Sequence, residues 1–302
     1  MLDVCVLGCS GMQPLPTRHL ASAMFRYDGK SILIDCGEGT QVAIKKKGWS
    51  FKTISVICFT HYHTDHIGGL SGLLASMNNS EKTDELTIIG PVGLEKVVNA
   101  ALVMAPKLLF PIKLIRVAEP TQALDLLGVH LEMFTVDHNV PCYGYSLSIQ
   151  RNGKFDNEKA KKYDVPEEVW NEVQQNGFAL VNGKVYVRDM LLGEERKGIK
   201  VTYCTDTRPT ANIIEGAKES DLFICEGMYG TEADYTNAIR NKHMLFSEAA
   251  KLAKQADVKE MWLTHYSPSL VNPKVHLEEA TKIFENTKLS KCGMSVTLGY
   301  EN

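Results

Sequence analysis

The chain has 302 residues, 44% hydrophobic and 23% charged, with a formal net charge of −3. That balance excludes a globally disordered chain and allows a sizeable core, and the length fits one large α/β domain carrying an insertion. No run approaches the roughly 18 apolar residues a membrane span needs, and the near-neutral charge counts only weakly against a nucleic-acid partner, because phosphate binding needs only a local basic face.

Met1–Gly8 reads as a first strand and not as a signal peptide, lacking a basic leader and a long apolar stretch. Further strands are expected at Ala21–Arg26, Ser31–Ile34, Ile54–Phe59, Leu86–Ile89, Ile112–Val117, Val129–Thr135 and Tyr145–Ile149. A second set follows at Ile199–Cys204, Leu222–Cys225, Glu260–Leu263 and Met294–Leu298, with hairpin turns at Asp28-Gly29 and Asn182-Gly183. Helical spacing appears in Ser247–Ala256, with Ser247 as the expected N-cap, and in Leu277–Phe284. Strands interleaved with helices predict a layered α/β architecture. Between residues 150 and 198 the pattern turns polar, with acids and bases nearly balanced, and reads as an arm inserted in the core. The eight cysteines form no Cys-x-x-Cys pair, so buried free thiols in a reducing cytosol are expected, and with them a cytoplasmic location.

Three histidines and an aspartate fall within six residues, His61-Tyr62-His63-Thr64-Asp65-His66, directly after the apolar run Ile54–Phe59. A buried strand that ends in such a loop supplies a rigid base from which imidazoles and a carboxylate converge. That donor set suits zinc and its first-row neighbours, and the lack of thiolate pairs argues against a closed structural site. Four ligands so close together cannot complete two coordination shells. His138, Asp206 and His265 each follow a predicted strand and are the candidates to complete them. Taken singly, each is more often a satisfied core or loop residue; together, ligand roles explain them better.

The His-x-His-x-Asp-His segment with these later residues resembles the metallo-β-lactamase superfamily. Pro14-Leu15-Pro16-Thr17-Arg18, Asp35-Cys36-Gly37-Glu38-Gly39-Thr40-Gln41, His138-Asn139-Val140-Pro141, Asp206-Thr207-Arg208-Pro209, Glu248-Ala249-Ala250 and Leu263-Thr264-His265-Tyr266-Ser267 are most similar to its ribonuclease Z family. The resemblance implies an α/β fold, the metallo-β-lactamase-like four-layer αβ/βα sandwich, formed as a single domain over residues 1–302 with the projecting arm at 150–198. It implies a metal-dependent phosphodiesterase that removes 3′ trailers from precursor tRNA. His61, His63 and His138 would bind one metal ion, Asp65, His66 and His265 a second, and Asp206 would bridge two Zn2+, with Mn2+, Fe2+ or Co2+ also accommodated. Such a pair activates a water and clamps a phosphodiester. Asp65 would take a proton, His243 would supply one to the leaving 3′ oxygen, and Glu226 would orient His243. Asp35 is expected behind a ligand histidine. A homodimer is implied and no membrane partner.

The chain departs from the family at three places. The arm reads Val165-Pro166-Glu167-Glu168 without a Gly-Pro pair, Cys225 replaces the usual histidine before Glu226, and Met244-Leu245 replace small hydroxyl residues after His243. A related phosphodiesterase acting on small cyclic nucleotides or other diesters, and a catalytically silent RNA-binding protein, are the alternative readings.

Overall fold

The computed structural model describes residues 1–194 and 196–301. Two seven-stranded sheets and a two-stranded hairpin carry the fold among these residues. β1 (Leu2–Gly8), β2 (Ser22–Tyr27), β3 (Lys30–Ile34), β4 (Ile54–Cys58), β5 (Leu86–Gly90) and β6 (Ile112–Arg116) lie in that order in the first sheet, and the C-terminal strand Met294–Leu298 pairs with the free edge of β1. The second sheet begins at its edge with β7 (Thr121–Leu126), then β8 (Val129–Thr135) and β9 (Tyr143–Arg151). The hairpin is β10 (Phe178–Val181) and β11 (Lys184–Val187). β12 (Arg196–Cys204), β13 (Leu222–Glu226), β14 (Met261–Thr264) and β15 (Thr287–Leu289) complete the second sheet, and the C-terminal strand of the first is β16.

Local sequence explains much of this. β4 and β5 are buried at every position, as strands covered on both faces must be, and their residues are almost wholly apolar. The two hairpins turn at Asp28-Gly29 and Asn182-Gly183, where both central residues have positive φ (46° and 74°; 51° and 79°). That is the two-residue turn whose twist matches the strands, and Asp-Gly and Asn-Gly adopt it at least cost. α1 (Thr40–Lys47), α2 (Thr64–Ile67), α3 (Leu70–Asn79) and α4 (Leu94–Met104) follow strands of the first sheet. Ile44, Leu70, Leu73, Leu74, Met77 and Val98 pack in one buried cluster with Leu33, Ile57 and Ile88 of the sheet. No helix among the described residues is long and apolar enough to cross a membrane.

The chain divides into two compact units, Met1–Ser148 with Lys200–Gly299, and Ile149–Ile199 with the residues from Tyr300. The second unit contains the stretch 150–198 and has its own small core, in which Val165, Val169, Val173, Tyr186 and Leu191 are buried and Trp170 packs against them. Trp170 Nε1 donates to the Val165 carbonyl at 2.9 Å, closing the turn around Pro166.

Some sequence expectations need correction. β7 was not foreseen, because its alternating exposed and half-buried residues include Thr121, Gln122 and Asp125 and give little apolar signal. Leu277–Phe284 is helical only over Leu277–Thr281. The helix expected at Ser247 starts one residue earlier, at Phe246, so Ser247 is not the cap. Its hydroxyl donates instead to Glu232 Oε1 at 2.6 Å, and Glu248 accepts the Leu245 N–H at 3.0 Å. The cysteines are all free, seven buried and Cys292 half-buried.

Candidate metal centre

The strand ends β3, β4, β8, β12, β13 and β14 deliver the polar residues to one place. Asp35, Asp206 and His265 directly follow or lie just beyond β3, β12 and β14, and all three have positive φ, 59°, 53° and 56°. Non-glycine residues are uncommon in this left-handed region and it costs them conformational energy, so three of them around one cluster mark a site whose geometry the fold imposes.

His61, His63 and Asp65 belong to the segment after β4, with Asp65 and His66 on the single turn α2. His61 Nε2 lies 2.9 Å from His63 Nδ1, which lies 3.3 Å from His138 Nε2. His66 Nε2 lies 3.1 Å from His265 Nε2, and Asp65 Oδ2 is 3.7 and 3.4 Å from these two nitrogens. Asp206 faces both groups. Its Oδ2 is 3.6 Å from His61 Nε2 and 3.9 Å from His138 Nε2, and its Oδ1 is 3.2 Å from both His66 Nε2 and His265 Nε2.

These donors fit metal ions. A tetrahedral zinc with donors at about 2.0–2.1 Å keeps them roughly 3.3 Å apart, close to the spacings within each histidine group. Asp206 Oδ1 and His265 Nδ1 are buried without a hydrogen-bond partner in the protein, which such interiors rarely tolerate. Burial alone would neutralise Asp206, but His265, His66 and His61 hold its carboxyl well below the usual range. Burial likewise opposes charge on His66, yet Asp206 and Asp35 outweigh it and raise its pKa well above the ordinary value. The donors are imidazole and carboxylate, the set that suits divalent first-row metals.

Around the donors sits a layer of orienting contacts. Asp35 Oδ2 is 2.8 Å from His66 Nδ1, leaving Nε2 to face the site. Thr60 donates to Asp35 from both its N–H (2.9 Å) and its hydroxyl (2.9 Å to Oδ2), and the hydroxyl lies 3.1 Å from His61 Nδ1. Asp65 Oδ2 accepts the Met12 N–H at 2.6 Å, and His138 Nδ1 lies 3.2 Å from the Lys242 carbonyl. Sequence alone pointed to no role for Thr60, Met12 or Lys242; the last two act through backbone atoms, which residue type does not reveal.

His243 lies beside both groups, its ring centroid 5.4 Å from that of His138 and 5.6 Å from that of His265. Its Nδ1 is 3.2 Å from both oxygens of Glu226, which is wholly buried. Burial opposes charge on His243, but Glu226 more than offsets it, by charge and hydrogen bond, and the imidazole is raised to about 9. Cys225 stands in register beside Cys204 in the sheet, and the alternation of a strand turns its side chain away from that of Glu226. Met244 and Leu245 are buried, and both use their backbone N–H groups, to Glu226 and Glu248.

The backbone comes close at Gly11, where a Cβ would stand 2.6 Å from His265 Cε1 and 2.8 Å from Met228 Cε. Gly11→Ala is therefore expected to push His265 out of place and weaken metal retention by about 10- to 100-fold, as lost support of a ligand does. Competition with a chromophoric chelator measures this, and unchanged affinity would show that the ring moves without cost.

Two sheets with histidines and aspartates gathered at strand ends define a metallo-β-lactamase-fold, metal-dependent hydrolase. Human tRNase Z, short form, matches at a TM-score of 0.71 and 22% identity, over 98% of this chain and 99% of that one. Residues 4–162 match the family model described as Anti-Pycsar protein Apyc1. Ribonuclease Z of Lachnoclostridium phytofermentans is 54% identical over 100% of this chain and 99% of its own, and that of Lachnospira eligens is also 54% identical over 100% and 99%. The chain belongs to the ribonuclease Z family, and its amino-terminal half also belongs with the Apyc1 family.

Proposed function

We propose that this protein is an endoribonuclease that removes 3′ trailers from precursor tRNA in the cytoplasm, using two zinc ions. His61, His63 and His138 would hold one ion and Asp65, His66 and His265 the other, with Asp206 shared between the two groups. The observation that supports this most is Asp206, whose two oxygens face two separate groups of donors. When bound, a metal pair activates a water and neutralises the attacked phosphodiester. Asp65 makes its contacts through Oδ2, which leaves Oδ1 to take the proton of the attacking water. His243 gives a proton to the departing 3′ oxygen from Nε2, its Nδ1 being tied to Glu226. Manganese, iron or cobalt would satisfy the same donors. The working form is a homodimer.

The test is incubation of the zinc-loaded protein with a precursor tRNA carrying a 3′ trailer. Mature tRNA ending in a 3′-hydroxyl, lost on chelation and restored by zinc, supports the reading. Turnover of small diesters without tRNA cleavage would replace it with a small-diester phosphodiesterase. The arm has a specific expectation. Joining β9 directly to its neighbour β12 by a short turn removes 150–198 from the chain. Loss of remote binding worth roughly 3 kcal/mol would lower kcat/KM on precursor tRNA about 100-fold. Hydrolysis of bis(p-nitrophenyl) phosphate should stay within about threefold of the intact chain, since no remote contact serves so small a substrate. Equal loss on both would mean that the deletion damaged the centre.

A further inference from the structure

Arg208 and Glu248 stand in two of the segments that resemble the family, yet neither faces the metal groups. Arg208 Nη1 donates to the His243 carbonyl at 2.6 Å and to Glu248 Oε2 at 2.8 Å, while Nη2 donates to Glu248 Oε1. Glu248 Oε2 also accepts the Leu245 N–H at 3.0 Å. Between them, Glu226 Oε2 accepts the Met244 N–H at 3.1 Å. Three successive residues, 243 to 245, are thus each held at a backbone atom by a charged side chain. The Tyr235 ring covers the guanidinium, 5.7 Å from Cζ, and the two side chains of the pair are only 13% and 12% exposed.

The same arginine is tied to the donor loops. It lies two residues beyond Asp206, and its own N–H donates to the Asp137 carbonyl at 3.0 Å, one residue before His138. Lys242, next to His243, reaches both oxygens of Asp137 at 2.9 Å. The segments around 137, 207 and 243 therefore share one set of polar contacts. A forked guanidinium–carboxylate pair fixes direction as well as charge, and lysine cannot reproduce it.

We propose that Arg208 and Glu248 are positioning residues that set His243 against the loops of Asp206 and His138, so that its Nε2 meets the leaving oxygen. The inference rests on the reading of His243 as the proton donor. A brace that served stability alone would affect every substrate alike. A device that aims a proton donor matters only when the leaving group needs a proton. A ribose 3′ oxygen needs one, and p-nitrophenolate leaves without it.

The experiment measures kcat and KM of the zinc-loaded protein on precursor tRNA and on bis(p-nitrophenyl) phosphate for wild type, H243A, R208A, R208K and E248Q, with metal content and melting temperature. H243A is expected to lose about 10²- to 10⁴-fold in kcat on the RNA, the span of general acid catalysis, and far less on the activated diester. R208A and E248Q should show the same selectivity at about 10- to 100-fold, a fraction of that span, with KM little changed. R208K should fall between R208A and wild type, and added guanidinium ion should partly restore R208A. Equal loss on both substrates, no loss on either, or loss that follows metal content overturns the proposal while leaving the role of His243 standing. H243A without selectivity removes that role and the proposal with it. Should R208A not fold, R208K and E248Q support or overturn the proposal by the same comparison of substrates.

Discussion

Asp206→Ala is expected to abolish hydrolysis, with kcat at least about 10³-fold lower, because the several kcal/mol of charge stabilisation supplied by a metal pair convert to that factor or more. Elemental analysis should find at most one tightly held ion per chain. Asp206 is 2% exposed, and its two oxygens stand 3.2 Å from His66 and His265 and 3.6 Å from His61. No other carboxylate faces both groups of donors among the described residues: Asp65 belongs to one group only, and Asp35 lies behind His66. Alanine therefore leaves five imidazoles with one facing carboxylate, too little negative charge for the two divalent ions proposed above. Asp206→Asn keeps the shape but not the charge and should fall between. A variant that retained two ions and wild-type turnover would rule out the bridging role.

Glu226→Ala should be the most costly change outside the donor set. Its wholly buried carboxylate accepts the Thr207 N–H at 2.6 Å, the Met244 N–H at 3.1 Å and the His243 ring. Removing it orphans these donors, each costing about 1–3 kcal/mol when buried unpaired, so a loss of roughly 3 kcal/mol or more is expected in urea unfolding. Activity should fall by about 10²-fold or more, since His243 loses the partner that orients it and favours its charged form. Glu226→Gln packs better but turns an amide N–H toward a site that offers donors. In a double-mutant cycle, Glu226→Gln added to His243→Ala should cost little further activity, as expected for residues that act as a unit. Fully additive losses would separate the two residues and give Glu226 a role of its own.

The family resemblance was legible in the chain because it lies in short motifs whose residue types are tied to the chemistry. His61 to His66 is dense enough to be noticed alone, and His138, Asp206 and His265 each end an apolar run that reads as a strand. The turns at Asp28-Gly29 and Asn182-Gly183 were equally legible, since their conformation is set by the two residues themselves. β7 was not, because an edge strand with polar alternation has no local signature distinguishing it from a loop. The Ser247 cap failed for a related reason: its hydroxyl found Glu232, fifteen residues away, and Glu248 took over the helix start.

The segment from Thr60 to His66 shows where the boundary lies. By itself the sequence determined the donor types, their spacing and the family, because these depend on which side chains are present and in what order. Tertiary structure alone decided that the oxygens of Asp206 face different histidine groups, that Met12 and Lys242 act through backbone atoms, and that Arg208 and Glu248 grip the chain beside His243. Such contacts join residues far apart in the chain; His66 and His265, whose nitrogens meet in the centre, are separated by 199 positions. They rest on where β12, β13 and β14 end in space, and no local pattern in the chain encodes that.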